Sequence, residues 1–212
     1  MLPCRDEGPA LRDLLPRIPT TFAVIVVDNG SRDDTAAVAR DLGAHVVTEP
    51  NPGYGAAVHA GIEAATADYV AVMDGDGSFD PDELTTLLDE VVAGRADLAV
   101  GRRRPVRRGV WPWHARAGNA LIVAWLRRRI DMQAHDIAPM RVCRRRALLD
   151  LGLRDRRFGY PVELLQAVTR AGWVLSEHDV AYHPRAPGTR SKVSGSLIGT
   201  LRTARDFQKV LR

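Results

Sequence analysis

Three observations predict an α/β protein with a largely parallel sheet flanked by helices. Continuous apolar, β-branched runs, "FAVIVV" at 22–27 and "YVAVM" at 69–73, have the pattern of strands buried on both faces. Segments of helical period, each closed by a small residue or glycine, lie between such runs. The two kinds of segment alternate through the first hundred residues, the order of a parallel sheet whose crossovers are helices. That order is Rossmann-like.

In chain order, "MLPCRDEG" opens where a first strand should be ending, because a turn bearing Asp6 and Glu7 leads straight into "PALRDLLPRI". Either that strand is reduced to two or three residues or the true start lies upstream. After the strand at 22–27 comes the helix "RDDTAAVARDLG", for which Ser31, Asp33 and Asp34 supply a capping start. The strand "HVVT", the helix "GYGAAVHAGIEAAT", the strand at 69–73, the helix "PDELTTLLDEVVAG" and the strand "DLAV" complete the alternation. Beyond residue 101 the chain becomes arginine-rich and tryptophan-bearing, "GRRRPVRRGVWPWHARAGN", and reads as a connection. A helix over 115–129, a short strand "DIAPMRV", a helix opening at Pro161 and a strand "WVLSEHDV" follow. The loop "HPRAPGTRSKVSG" then leads into a last helix from about residue 197. There is no internal repeat, and a single domain accommodates the 212 residues.

The 45% hydrophobic and 26% charged content are those of an ordinary globular protein. Cys4 and Cys143 lie far apart in no paired spacing and read as reduced thiols of a cytoplasmic protein. The longest apolar stretch, "ALIVAWL", is cut off by Arg127, Arg128 and Arg129, well short of the roughly 20 residues that cross a bilayer. Arg5, Asp6 and Glu7 interrupt any secretory pattern. The expectation is a chain that neither spans a membrane nor carries an export signal. Its net charge is +4, with Lys192 and Lys209 the only lysines, and the pI is about 9.5. Such a balance suits anionic partners, although a solvated arginine-rich surface accounts for it equally well.

Ligands of a doubly wound sheet bind outside the carboxyl ends of its strands. Three acidic turns fall there: Asp6 with Glu7, "VVDNGSRDDT" with Asp28, and "MDGDGS" with Asp74 and Asp76. Asp28 either fixes its turn or accepts hydrogen bonds from a base edge or ribose. Asp74 and Asp76 stand one residue apart, and neighbouring carboxylates resist joint ionisation unless a cation intervenes. Hard oxygen ligands point to Mg²⁺ or Mn²⁺, which take their other ligands from water and phosphates. Gly75 and Gly77 leave room for a diphosphate and a sugar to approach. A lone D-x-D also occurs in ordinary loops; its place at the end of a buried strand is what favours a metal site.

Two features follow in the second half. In "FGYPVELLQAVTRAGW", Pro161 suits a first helical turn and places Glu163 in it, either as a dipole-stabilising surface acid or at a pocket. In "RAPGTRSKVSG", Arg185, Arg190, Ser191 and Lys192 surround Gly188, a set suited to phosphate. Arg102 in "GRRR" and Arg116 are weaker candidates for the same task.

Together "LPCRDEG", "VVDNGSRDDT", "NPGYGAAVHAGI", "MDGDGSFDP", "DIAPMR", "FGYPVELL" and "RAPGTRSKVSG" resemble the family 2 glycosyltransferases of GT-A fold, especially the polyprenol or dolichol phosphate mannosyltransferase-like branch. The resemblance spans nearly the whole chain. It implies a nucleotide-binding half at 1–101 and an acceptor half at 102–212. Glu7 and Asp28 would hold the nucleotide, with Gly53, Gly55 and Asp74 beside it. Asp74 and Asp76 would form the metal-binding motif, and Asp76, Asp136 and Glu163 the reaction centre. Arg185, Arg190, Ser191 and Lys192 would contact the donor diphosphate or an acceptor phosphate. Departures are Asp6 where the family usually has asparagine, Asp28-Asn29 where it often has two acids, and no carboxy-terminal membrane helices.

The implied activity is metal-dependent, inverting transfer of a sugar from a UDP- or GDP-linked donor to a polyprenyl phosphate or another phosphate or hydroxyl acceptor. A lipid acceptor would place the protein at the membrane surface, where the basic helix after residue 197 suits anionic lipid. A sugar nucleotidylyltransferase is the rival enzyme, but the first turn has acids where that chemistry wants a basic, glycine-rich loop. A non-catalytic nucleotide-sugar-binding subunit is the rival of another class. Nucleic acid is not expected as a partner, because the sheet rim is acidic.

Overall fold

The computed structural model describes residues 1–130 and 132–189. Arg190, Ser191, Lys192 and the helix expected from about residue 197 lie outside the described residues. Strand β1 (Leu2–Cys4), helix α1 (Gly8–Leu14), β2 (Ile25–Asp28), α2 (Thr35–Asp41) and β3 (His45–Thr48) form a three-stranded parallel sheet with its crossovers. Helix α3 (Tyr54–Ala64) leads to β4 (Tyr69–Val72), and α4 (Glu83–Val92) to β5 (Leu98–Pro105). Helix α5 (Trp113–Ile130) precedes β6 (Met140–Arg144), which inserts antiparallel between β4 and β5. Helices α6 (Arg145–Asp150) and α7 (Tyr160–Arg170) follow, and β7 (Leu175–Tyr182) runs parallel to β5.

Met1 joins the two sheets. Its ammonium donates to the Ala71 carbonyl at 2.7 Å and its carbonyl accepts from Met73 N–H at 3.2 Å. The strands therefore run in the order β3-β2-β1-β4-β6-β5-β7. The first strand is short, three residues.

Alternate side chains divide the core between the two sheet faces. Val26, Ala71, Ala99 and Val142 pack with Leu11 and Leu14 of α1, Val38 of α2 and Leu87 of α4. Val70, Val72, Leu98, Val100 and Cys143 pack with Val58 and Ile62 of α3, Leu148 of α6 and Leu164 of α7. A third cluster seats Val123 and Leu126 of α5 on Val162 and Leu165 of α7. This two-sided burial is why the strands read as unbroken apolar runs.

One boundary differs from the sequence pattern for an electrostatic reason. "GRRRP" reads as a connection, yet β5 continues through it to Pro105. Arg102 and Arg104 lie on one side of the strand, and both reach Asp179 on β7, at 2.5 and 2.7 Å. Cross-strand ion pairs support the ladder there in place of apolar packing.

Candidate active site

The acidic turns after β1 and β2 are tied to each other. Asp6 N–H donates to Ser31 Oγ at 3.0 Å, and Arg32 N–H donates to the Asp6 carboxylate at 2.7 Å. Glu7 N–H reaches Thr35 Oγ1 at 2.8 Å, and Gly8 N–H reaches Asp33 at 3.1 Å. Asp33 also accepts from Thr35, so it braces the start of α1 as well as that of α2. The cap-like trio works differently from its sequence pattern: Asp34 is the N-cap residue of α2 without a side-chain cap bond. Asp28 accepts from Ser31 N–H at 2.9 Å and closes its own turn. The neighbouring Asn29 donates to the Glu49 and Asn51 carbonyls and accepts from Gly53 N–H.

Gly53 and Gly55 sit where the backbone of another segment comes close. A Cβ on either would collide with backbone atoms of Asp155 or Arg156. Their N–H groups are engaged, Gly53 by Asn29 and Gly55 by the Arg157 carbonyl at 3.0 Å. The close approach that glycine permits here is to the 155–157 backbone, which covers the first turn of α3. Glu163 serves the same loop, accepting from Arg154 N–H at 2.9 Å and Asp155 N–H at 2.6 Å.

The turn after β4 is built around charge. Gly75 packs where any Cβ would strike Cys4 Sγ and crowd Glu7 Oε2, and Gly77 turns at φ +76°. Asp76, 2% exposed, accepts from Ser78 N–H at 3.0 Å and pairs with Arg185 at 2.8 Å. Burial and the adjacent Asp76 push the Asp74 carboxyl up to about 6, against the opposing pull of Arg185, Arg141 and Arg103. Burial works against the Arg185 charge, and Asp76, Tyr182, Asp74 and Glu7 more than offset it. Glu7, Asp74, Asp76 and Arg185 thus share one rim of the sheet.

Arg103 comes to that rim from β5. It lies 4.0 Å above the Trp111 ring, and its backbone and side chain donate three bonds of 2.6 to 2.9 Å to Asp136, which is 1% exposed. Its guanidinium also reaches Asn119 on α5 at 3.3 Å. Asp136 is therefore beside the acids, but with its carboxylate engaged by Arg103.

Of the expected phosphate ligands in the described residues, Arg185 alone is placed with the acids. Arg102 belongs to the Asp179 and Glu177 pairs, and Arg116 is exposed on α5. Arg103 and Arg141 are the cations that motif reading passed over. Strand alternation offered a signal for the first, since Ala99, Gly101 and Arg103 share a face of β5.

The geometry is a pair of crowded carboxylates opposed by three guanidiniums at the carboxyl ends of parallel strands. The glycosyl transferase family 2 model matches residues 2–152 of the sequence. The chain belongs to that family. It is a glycosyltransferase. The uncharacterized glycosyltransferase Rv0539 of Mycobacterium tuberculosis is 54% identical over 211 residues, covering 100% of this chain and 96% of the relative. The polyprenol monophosphomannose synthase of Mycolicibacterium smegmatis is 35% identical over 191 residues, 82% of this chain and 71% of its own. Among solved structures, glucosyl-3-phosphoglycerate synthase from Mycobacterium tuberculosis in complex with Mn²⁺ and UDP-glucose superposes with a TM-score of 0.79. It is 20% identical and covers 99% of this chain and 76% of its own, a likeness of fold.

Proposed function

We propose that this glycosyltransferase moves a hexose, with inversion, from a nucleoside diphosphate donor to an acceptor phosphate, with Asp74 and Asp76 holding a divalent ion. The observation that carries this reading is the crowding of those two acids beside Arg103, Arg141 and Arg185. Among the described residues no group of three or more His, Cys, Asp or Glu is placed to hold a metal. Two carboxylates without further protein ligands fit Mg²⁺ or Mn²⁺, which complete their shells with water and phosphate oxygens. When bound, such an ion neutralises charge developing on the departing diphosphate.

The protein's own groups do the rest. Arg185 is held by Asp76 and Arg103 by Asp136. Both guanidiniums are preorganised by carboxylates, so they meet developing or incoming negative charge without rearrangement. Glu7 and Asp28 border the nucleotide side, where Asn29 fixes the 49–53 segment. Asp136 acts by holding Arg103, and Glu163 by holding the 154–155 backbone.

The acceptor class follows from how those two carboxylates are spent. A hydroxyl acceptor needs a base within hydrogen-bond reach. Asp136 is engaged by a guanidinium and Glu163 by two backbone N–H groups. A phosphate acceptor is already anionic and needs cations instead, which Arg103 supplies. A polyprenyl phosphate fits, as the name of the Mycolicibacterium smegmatis relative suggests. Among the described residues no helix is long and apolar enough to cross a membrane, so a lipid acceptor would be met at the membrane surface. UDP- and GDP-linked donors are both compatible with the site.

The test is transfer from UDP-glucose or GDP-mannose to a short-chain polyprenyl phosphate and to the corresponding polyprenol, with Mg²⁺ or Mn²⁺. Product on the phosphate and none on the alcohol is expected. Transfer to the alcohol alone would overturn the acceptor assignment.

A further inference from the structure

Arg141 is a buried cation inside the acidic rim that no step above employs. It is 3% exposed, and its Nη2 donates to Tyr54 Oη at 2.5 Å. The rings of Tyr54 and Tyr160 stand 5.7 and 5.8 Å from its guanidinium carbon. Among the described residues neither Nε nor Nη1 has a hydrogen-bond partner. Burying a guanidinium with two N–H groups unsatisfied is costly, and native structures reserve that cost for a ligand or a function.

The register shows why packing alone does not call for arginine there. On β6, Arg141 pairs with Val72 of β4 and Val100 of β5, in the cluster that holds Leu98, Cys143 and Leu164. An unbranched apolar residue would fill that space without a charge to desolvate. Asp74 lies two residues beyond Val72, one pleat repeat of about 7 Å further along the same strand line. Arg141 brings two unspent N–H groups to that neighbourhood.

We infer that Arg141, with Tyr54 beside it, forms an oxyanion subsite behind Asp74 that takes a phosphoryl oxygen of the donor diphosphate. Arg185, paired with Asp76, and Arg141 would then both serve the diphosphate. A tyrosine-braced guanidinium has little freedom to lose on binding, which suits recognition of a fixed phosphate position. The inference rests on the nucleotide-sugar reading for the identity of the diphosphate, although the cation's need for an anion does not.

The experiment is calorimetry on wild type, Arg141→Met and Arg141→Lys with UDP, UMP, GDP, GMP and inorganic pyrophosphate, all with Mg²⁺, after thermal melts show each variant folded. Loss of one charge-assisted bond predicts that Arg141→Met weakens the preferred nucleoside diphosphate and pyrophosphate about 10- to 100-fold and the matching monophosphate far less. Arg141→Lys recovers part of the loss. Equal weakening of monophosphate and diphosphate, or none, would overturn the subsite. If wild type binds pyrophosphate through Arg141 but neither nucleotide series, the subsite stands and the nucleotide-sugar reading falls. If Arg141→Met does not fold, the Lys variant alone decides: a loss for the diphosphate exceeding that for the monophosphate supports the subsite, and parallel affinities sink it.

Discussion

The acids at the ends of β1 and β2 look like those at the end of β4 in sequence, but the structure uses them in opposite ways. Asp6 and Asp33 accept from backbone N–H groups of the facing turn and Asp28 from one of its own, so their charge is spent on holding the chain. Asp74 and Asp76 face Arg185, Arg141 and Arg103, cations drawn from three different strands or loops. The lesson concerns what counts as a site. A carboxylate met by backbone N–H groups alone is architecture, while one faced by guanidiniums from distant parts of the chain is available for exchange with a ligand.

The sharpest way to break this contrast is Asp76→Ala. Transfer should fall at least about 10³-fold, since the variant removes an electrostatic element of the proposed leaving-group site. Steady-state turnover checks it, and retention of activity would erase the distinction between the turns. Next is Asp136→Asn, which strands the half-buried Arg103 guanidinium. Breaking a buried pair from one side costs about 3 kcal/mol or more, to be read by urea denaturation alongside turnover.

Asp74→Asn should do something the other turns cannot. The carboxyl is held up to about 6, above its usual value, so ionising it disfavours the folded state. Its destabilising effect is absent at pH below the ordinary carboxylate range and grows as pH rises through about 6. With a chelator present, Asp74→Asn should therefore melt higher than wild type at pH 7.5 and match it at pH 4. A lower melting temperature at pH 7.5 would contradict the crowding. Glu163→Gln should act on stability, costing about 1 to 2 kcal/mol as an amide replaces the carboxylate that receives two N–H groups. Its turnover should stay within a few-fold, and a collapse in rate with unchanged melting would mark it as part of the reaction centre. The smallest effect belongs to Asp28→Asn, which keeps an acceptor for Ser31 N–H. Donor KM should shift only a few-fold while kcat holds.

Much of this was legible from residues alone, and the reasons are physical. Strands buried on both faces leave unbroken runs such as 69–73, and helices with one apolar stripe leave a different period, so the layer order was readable. The D-x-D motif was readable because crowded carboxylates at a strand end have few uses. The arginine-bearing half of β5 was not, since Arg102 and Arg104 satisfy themselves on Asp179 across the sheet, a partner 75 or more residues away. The same pairing explains why "GRRR" suggested Arg102 while the pleat delivers Arg103. Gly53, Gly55 and Glu163 all answer to the 154–157 backbone, a contact no local pattern contains. Arg141 sat inside a quoted motif, but its meaning depends on which of its N–H groups find partners, and sequence is silent on that.

Binding of UDP and GDP by calorimetry, with Mn²⁺ or Mg²⁺ and then with chelator, on wild type and Asp76→Ala, tests the assignment of the acid pair most directly. The account predicts that one nucleotide binds wild type only with the ion present and that the alanine variant does not distinguish the two conditions. Equal affinity in chelator, or an undiminished ion response in Asp76→Ala, would contradict it.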